Sequence, residues 1–221
     1  MTETKFRWRT LTAEVADKAS PLRQHLELRF PNLRPLQNEY KKSAGGILVE
    51  RGSGNPGTLG AAFDFAVRSA LDPGYQADIA MIGFMFDGLQ ELVGEVATLA
   101  TAAQRFSPRT PELMRACWAL ALCTEVLRVG LMPGSPLAKL VEENRLTAAA
   151  LLDLATHDVV AELTALSDVA EEHLLPHIRN GEPLMLGPTF AGSRLCPADA
   201  DLVAGGTLID LKCTVGKKSS T

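Results

Sequence analysis

Two aspartates and a lysine lie close together near the C-terminus, in the stretch ADADLVAGGTLIDLKCT. Asp201 precedes a Gly-Gly pair, and Asp210 and Lys212 follow that pair, inside an otherwise apolar run. Carboxylate oxygens are the ligands that Mg²⁺ prefers, and a lysine ammonium can contact a water or a phosphate oxygen. These residue types therefore indicate metal-dependent chemistry, provided that the backbone brings the three side chains together.

A β-hairpin would bring them together. Residues 200–203 and 207–213 are rich in aliphatic and β-branched residues, and Gly205-Gly206 suits a two-residue turn with positive φ. This turn places Asp201 opposite Asp210, and Asp199 opposite Lys212. Because side chains alternate along a strand, these charged residues share one face. The other face is apolar and is expected to pack on the core: Ala200, Leu202, Ile209, Leu211 and Cys213.

The predicted pairing of Asp201 with Asp210 is unfavourable without a counter-ion, because like charges opposite each other destabilise a strand pair. The repulsion reaches about 4 kcal/mol at a separation of about 4 Å and an effective dielectric constant of about 20. A divalent cation would turn this repulsion into attraction. The register therefore predicts a site for Mg²⁺ or Mn²⁺ on this face of the hairpin.

The pattern of an acid, a short spacer and Asp-x-Lys on the next strand resembles the PD-(D/E)XK nuclease superfamily. Asp201 matches the first acidic position of that motif, and Asp210 and Lys212 match its (D/E)xK part. Residues 183–193, PLMLGPTFAGS, would supply the preceding strand. The resemblance covers only the C-terminal part of the chain and implies a restriction-endonuclease-like fold.

The resemblance also implies an activity, the metal-dependent hydrolysis of phosphodiester bonds in DNA or RNA. In that activity Asp201, Asp210 and the Leu211 carbonyl would bind the metal, and Asp199 would hold Lys212 or bind a second ion. Lys212 would orient the attacking water or help to deprotonate it. The candidate phosphate contacts are Arg194 and Lys217.

A third acid is available on an earlier segment, LGAAFDFAVR, residues 59–68. This segment resembles the first core helix of the RecB-like branch of the same superfamily, which makes Asp64 a further metal ligand. An equally good interpretation is a solvated helix in which Asp64 pairs with Arg68, since residues four apart on a helix are neighbours. Glu162, Glu171 and Glu172 are the other acids that a helix could bring to the site.

The predicted fold class is α+β, with a mainly helical N-terminal four-fifths and a C-terminal antiparallel hairpin or sheet of restriction-endonuclease-like type. Residues 1–221 form one domain, in which 75–180 are a helical insertion or subdomain and 181–214 are the β core. Serine or threonine before proline predicts helix starts at Ser20-Pro21, Thr110-Pro111 and Ser135-Pro136. Residues 30–40, FPNLRPLQNEY, are expected to be irregular.

The resemblance implies a further helix and strand after the Asp-x-Lys strand, but only nine residues follow Lys212. We therefore expect a truncated chain, a reduced fold, or a sheet completed by a protein partner or by a second copy of the chain. The net charge of −4 gives no general basic surface, so nucleic acid binding would need a local basic patch or a partner. The absence of a signal sequence or a long apolar run predicts a cytoplasmic protein with no membrane partner.

Three other functions are weaker alternatives. A non-catalytic assembly or binding protein could retain a relic or partner-completed site of this type. Residues 52–57 match G-x-G-x-x-G, but the expected late helix start and Pro56 favour a turning loop over a nucleotide site. His173 and His177 are four residues apart, although a polar helix end explains them better than a metal pair.

Overall fold

The structure, a computed structural model, describes residues 11–43, 48–77, 80, 90–107, 109–189, 191 and 200–213. The chain divides into two compact units. The first comprises residues 1–46 with 189–199, and the second comprises residues 47–188 with 200–221. Three residues of the predicted site, Asp199, Arg194 and Lys217, lie outside the described residues.

The described residues are mainly helical and end in a small antiparallel sheet, which confirms the coarse α+β prediction. The helices are α1 (Leu11–Ala16), α2 (Pro21–Arg29), α3 (Leu33–Ser43), α4 (Pro56–Leu71), α5 (Gln90–Phe106), α6 (Pro111–Val129), α7 (Pro136–Glu142), α8 (Ala148–Asp153), α9 (His157–His173) and α10 (Leu175–Ile178). The strands are β1 (Leu184–Leu186), β2 (Leu202–Ala204) and β3 (Thr207–Ile209). In this part of the chain, no helix is long and apolar enough to cross a membrane.

The first unit contains α1, α2 and α3. Ser20 caps α2 as predicted, because its hydroxyl accepts a hydrogen bond from the Leu22 amide and donates one to Glu14. The prediction of an irregular segment at residues 30–40 is wrong, since α3 begins at Leu33. Pro35 lies in the first turn of α3, where a missing N–H costs no intrahelical hydrogen bond.

The second unit is built around α6, which packs against α4 and α5 and, less extensively, against α8 and α9. Thr110 caps α6 and Ser135 caps α7, as their positions before proline predict. Cys117 and Cys123 are buried on α6, and burial raises the pKa of each thiol to about 12. These cysteines are therefore core residues with little reactivity.

The sheet has the order β1-β2-β3 with antiparallel pairs throughout. Ala204 pairs with Thr207, and Leu202 pairs with Ile209, so the predicted hairpin register is confirmed over the paired residues. The turn residues Gly205 and Gly206 have φ of 54° and 87°, the conformation for which a Gly-Gly pair was predicted. Both strands are shorter than predicted, and the ladder ends at the Leu202–Ile209 pair.

One face of the sheet packs on a second, smaller hydrophobic cluster. Leu202 is fully buried there, and Val67 of α4 belongs to the same cluster. Ile209 and Leu211 pack against it, as predicted for the apolar face. Because Val67 is on α4, this cluster holds α4 close to the hairpin.

Candidate functional site

Asp201 and Asp210 are the residues next to the last pair of the hairpin ladder. Asp201 Oδ2 accepts a hydrogen bond from the backbone amide of Leu211 at 2.5 Å. Asp210 Oδ1 accepts one from Lys212 Nζ, also at 2.5 Å. The two aspartates would form the next cross-strand pair if the ladder continued, but their carboxylates have different partners.

Asp64 and Arg68 form an ion pair on α4, as their spacing of four residues allows. Arg68 Nε lies 2.8 Å from Asp64 Oδ1, and Arg68 Nη2 lies 2.5 Å from Asp64 Oδ2. Arg68 Nη1 also donates a hydrogen bond to the Tyr75 hydroxyl at 3.0 Å, and the guanidinium carbon lies 5.7 Å from the centroid of the Tyr75 ring. The Arg68 side chain is only 3% exposed, so this pair is part of the protein interior.

Gly187, which follows β1, connects this buried pair to the hairpin. Its φ of 59° is left-handed, and a Cβ at this position would collide with the Arg68 guanidinium. Its amide donates a hydrogen bond to the Asp201 carbonyl at 2.9 Å. Gly187 therefore lets Arg68 lie close to the backbone that carries Asp201.

The charges of α4 and the hairpin influence one another. Burial raises the pKa of Asp201 above the usual value, and nearby Asp210 raises it further, although the Leu211 amide, Lys212 and Arg68 oppose this shift. The hydrogen bond to Asp210 raises the pKa of Lys212, and the negative charges of Asp201 and Asp64 add to this effect. The three carboxylates and two cations together carry a net charge of −1.

The donor atoms at this site are suited to a hard divalent cation. Mg²⁺ takes one or two carboxylates and fills its other positions with waters and substrate phosphates, so Asp201, Asp210 and the Leu211 carbonyl fit its chemistry. Among the described residues, no three acidic, histidine or cysteine side chains are grouped so that they could hold a metal ion. Both oxygens of Asp64 bind Arg68, which leaves Asp201 and Asp210 as the carboxylates with the fewest competing contacts.

The glycine-rich loop at residues 52–57 packs against helices of the core. The expected late helix start is wrong, since α4 begins at Pro56, inside the G-x-G-x-x-G stretch. The amides of Gly57 and Thr58, however, donate hydrogen bonds to the Asn55 side chain. A Cβ at Gly54 would lie 3.1 Å from Val159 and 3.2 Å from Trp118. The cap occupies the amides that a phosphate would need, so these contacts support the loop interpretation.

The other helix acids have different surroundings. Glu171 pairs with Arg179 at 2.5 Å, and Glu172 lies 3.6 Å from His173 on an exposed surface. Glu162 is buried, and its Oε2 has no hydrogen-bond partner among the described residues. Burial, together with the smaller effect of the negative charge of Glu162, raises the pKa of the Cys213 thiol to about 11.

Sequence reasoning missed two residues that organise the site, Tyr75 and Gly187. Tyr75 follows the Asp-Pro-Gly turn that ends α4, and Gly187 precedes a proline after β1. A glycine next to a predicted strand end was the available signal for close backbone approach. No comparable signal linked Tyr75 to Arg68.

Comparisons of the chain with models of protein families, with curated proteins and with solved structures find no match.

Proposed function

We propose that the chain is a metal-dependent nuclease that hydrolyses phosphodiester bonds in nucleic acid, with Mg²⁺ or Mn²⁺ as its cofactor and a fold of restriction-endonuclease-like type. The observation that carries the proposal is the hairpin register, which brings Asp201 next to Asp210 with Lys212 two residues further on. The electrostatics of Asp201 support it, because burial and the charge of Asp210 raise its pKa, and a bound cation would offset this cost of ionisation.

In this proposal the two aspartates and the Leu211 carbonyl hold the metal. When bound, the metal would lower the pKa of a coordinated water and neutralise charge that develops on the phosphate. Lys212 is 66% exposed, so its ammonium is accessible to a substrate phosphate or to a water. Lys212 would orient the attacking water or help to deprotonate it, and the hydrogen bond to Asp210, which raises the pKa of Lys212, favours the orienting role.

The buried pair on α4 has a supporting role in the proposal. Asp64 neutralises Arg68, and Arg68 packs against Gly187, whose amide binds the Asp201 carbonyl. The pair therefore fixes the position of the Asp201 backbone relative to α4. It would contribute a positioning function, and metal ligation by Asp64, which the resemblance implies, would require its carboxylate to change partner from Arg68.

A nuclease assay with plasmid, single-stranded DNA and RNA in Mg²⁺ or Mn²⁺ tests the proposal. We expect Asp210→Asn to abolish hydrolysis, because it removes a charge that the metal needs while preserving the shape of the side chain. Lys212→Ala should lower the rate more than it lowers metal affinity. Asp153→Asn, an exposed aspartate on α8, is the matched control and should retain activity.

Thermal unfolding with and without metal provides a second readout that needs no substrate. A ligand that binds only the folded chain stabilises it by RT ln(1 + [L]/Kd), so millimolar metal should raise the melting temperature of the wild type. The increase should be much smaller for Asp210→Asn and unchanged for Asp153→Asn. Hydrolysis by Asp210→Asn at the wild-type rate would contradict the proposed site.

The second candidate is a non-catalytic assembly or binding protein, and one observation favours it. Asp210 already pairs with Lys212 and Asp64 with Arg68, so most of the charge at the site is balanced without a metal. This candidate predicts neither hydrolysis nor metal-linked stabilisation in a fully folded protein. Metal-linked stabilisation without hydrolysis would instead indicate a nuclease that needs a further chain segment or partner.

A further inference from the structure

Helix α3 carries an exposed apolar stripe. Leu33, Leu36 and Tyr40, at spacings of three and four, are 42%, 60% and 68% exposed. Within its unit α1 packs against α2, whereas α3 has no such extensive contact with either helix. A helix of this length is marginal in water on its own, so a surface that covers the stripe would stabilise it.

The stripe is flanked by positive charge. Arg34 and Lys41 are seven residues apart and lie on one side of α3, with Lys42 next to them. Residues 11–43 contain six basic and four acidic residues, a net charge of +2, whereas residues 48–221 contain 13 basic and 21 acidic residues, a net charge of −8. The helix could therefore dock on an apolar surface that has an acidic border. This mode of binding is helix-in-groove recognition, with anchor residues at i, i+3 and i+7.

The outer face of the C-terminal sheet has these properties. Met185 pairs with Val203, and Val203 pairs with Leu208, so three apolar side chains form a row across the three strands. Met185 is 53% exposed and Leu208 is 62% exposed. Strand alternation puts Asp201, Asp210 and Lys212 on the same face as Val203 and Leu208, at the border of the row. Lys212 pairs with Asp210, so this border carries a net charge of −1.

We propose that α3 of one copy of the chain docks on the outer sheet face of a second copy. The occupant is a second copy because the two surfaces match in both properties. The apolar stripe of α3 would cover the apolar row of the sheet, and the basic flank of α3 would face the acidic border of that row. In a closed dimer, α3 of each copy binds the sheet of the other copy. The helix–sheet contact therefore forms twice, which doubles the area buried in the dimer. The border residues Asp201 and Asp210 are also the proposed metal ligands, so a docked helix would compete with substrate at this face, and the dimer is tested without metal or nucleic acid.

Sedimentation velocity of the full chain, without metal or nucleic acid, tests this dimer over about two decades of concentration around the micromolar range. Leu36→Ser on α3 and Leu208→Ser on the sheet should each raise the dimer dissociation constant at least about tenfold, because each removes a buried leucine from both contacts. Leu99→Ser changes a leucine on α5 that is 42% exposed and serves as the matched control. High salt should also weaken the dimer.

Mixing the two variants gives the sharpest result. A mixed dimer has one intact contact, formed by the helix of the Leu208→Ser chain and the sheet of the Leu36→Ser chain. In the proposed contact Leu36 packs on Leu208, so in the mixed dimer both losses fall in one contact and the second adds little. The mixture should therefore associate more tightly than either variant alone, whereas helix-to-helix or sheet-to-sheet dimers would show no such recovery. All three leucines are exposed, and far-UV circular dichroism checks that the variants fold.

The remaining outcomes overturn the proposal. A wild type that is monomeric at every concentration excludes the second copy as the occupant. A dimer that Leu208→Ser leaves intact excludes the sheet face as the receiving surface, and one that Leu36→Ser leaves intact excludes the helix. None of these results depends on hydrolysis, so they are distinct from a failure of the nuclease assay.

Discussion

Two acid–base pairs near the hairpin have the same chemistry but opposite surroundings. In the pair on α4, the side chains of Arg68 and Asp64 are 3% and 18% exposed. In the pair after β3, the side chains of Lys212 and Asp210 are 66% and 62% exposed. The shortest nitrogen–oxygen separation is 2.5 Å in both pairs, but Arg68 binds Asp64 through two nitrogens and Lys212 binds Asp210 through one. Burial is the larger difference between them.

This difference separates a structural role from a role in binding. A buried pair cannot lose one partner without leaving an uncompensated charge, which is strongly destabilising. An exposed pair contributes little to stability, because water and salt screen it. Asp210 and Lys212 can therefore change partners at low cost, as ligands of a metal or a phosphate must, whereas Asp64 and Arg68 cannot.

The largest expected effect is the loss of Asp64. Asp64→Ala leaves the buried Arg68 guanidinium without its carboxylate, and we expect a loss of about 3 kcal/mol or more in the free energy of unfolding. Urea denaturation measures it. The double variant Asp64→Leu with Arg68→Met should recover part of the loss, since an apolar pair of similar volume replaces both charges. A change below about 1 kcal/mol for Asp64→Ala would remove the distinction between the two pairs.

Gly187→Ala should have the next largest effect, because it disturbs the same buried pair from the strand side. The substitution combines the cost of a left-handed φ, about 1 kcal/mol, with displacement of the Arg68 guanidinium. Gly206→Ala is the matched control, since Gly206 also has a left-handed φ, of 87°, but no neighbouring atom near its missing Cβ. Equal losses in urea denaturation would show that Arg68 is not fixed at Gly187.

A smaller effect is expected from the titration of Asp201. Burial raises its pKa in the folded state, so the folded chain binds this proton more tightly than the unfolded chain does. Stability should therefore fall as the pH rises from the usual carboxyl pKa through the raised one. Asp201→Asn removes the titration, so without metal the variant should gain stability relative to the wild type across this range. Urea denaturation at several pH values measures the difference in the free energy of unfolding between variant and wild type. If the wild type gained stability relative to the variant as the pH rose, the predicted direction would be wrong.

Local rules predicted the hairpin and three helix starts. The Gly205-Gly206 turn and the alternation of apolar residues define the register, because a slip by one residue would put Asp210 in the core. Prolines preceded by Ser20, Thr110 or Ser135 mark helix starts through interactions within one turn. These features depend on neighbouring residues, so the sequence contains enough information to place them.

The features that were missed depend on distant contacts. Residues 30–40 were expected to be irregular, but the apolar residues of α3 have helical spacing, and its Pro35 lies in the first turn, where proline is tolerated. The spacing of Asp64 and Arg68 allowed both an ion pair and a metal ligand, and only the packing of Arg68 against Tyr75 and Gly187 favours the pair. No local pattern encodes those two contacts.

The smallest expected effect on stability is that of Lys212→Ala, and it is the complement of the Asp64 prediction. Lys212 and Asp210 are both exposed, so their pair should contribute no more than about 1 kcal/mol, and the free energy of unfolding should change by less than that. Asp210→Asn should be equally mild, because the lost attraction to Lys212 is offset by relief of repulsion from Asp201. If urea denaturation shows a loss of about 3 kcal/mol for either variant, these residues are structural, as Asp64 is expected to be. Mild effects on stability together with loss of hydrolysis would assign the exposed pair to the reaction and the buried pair to the fold.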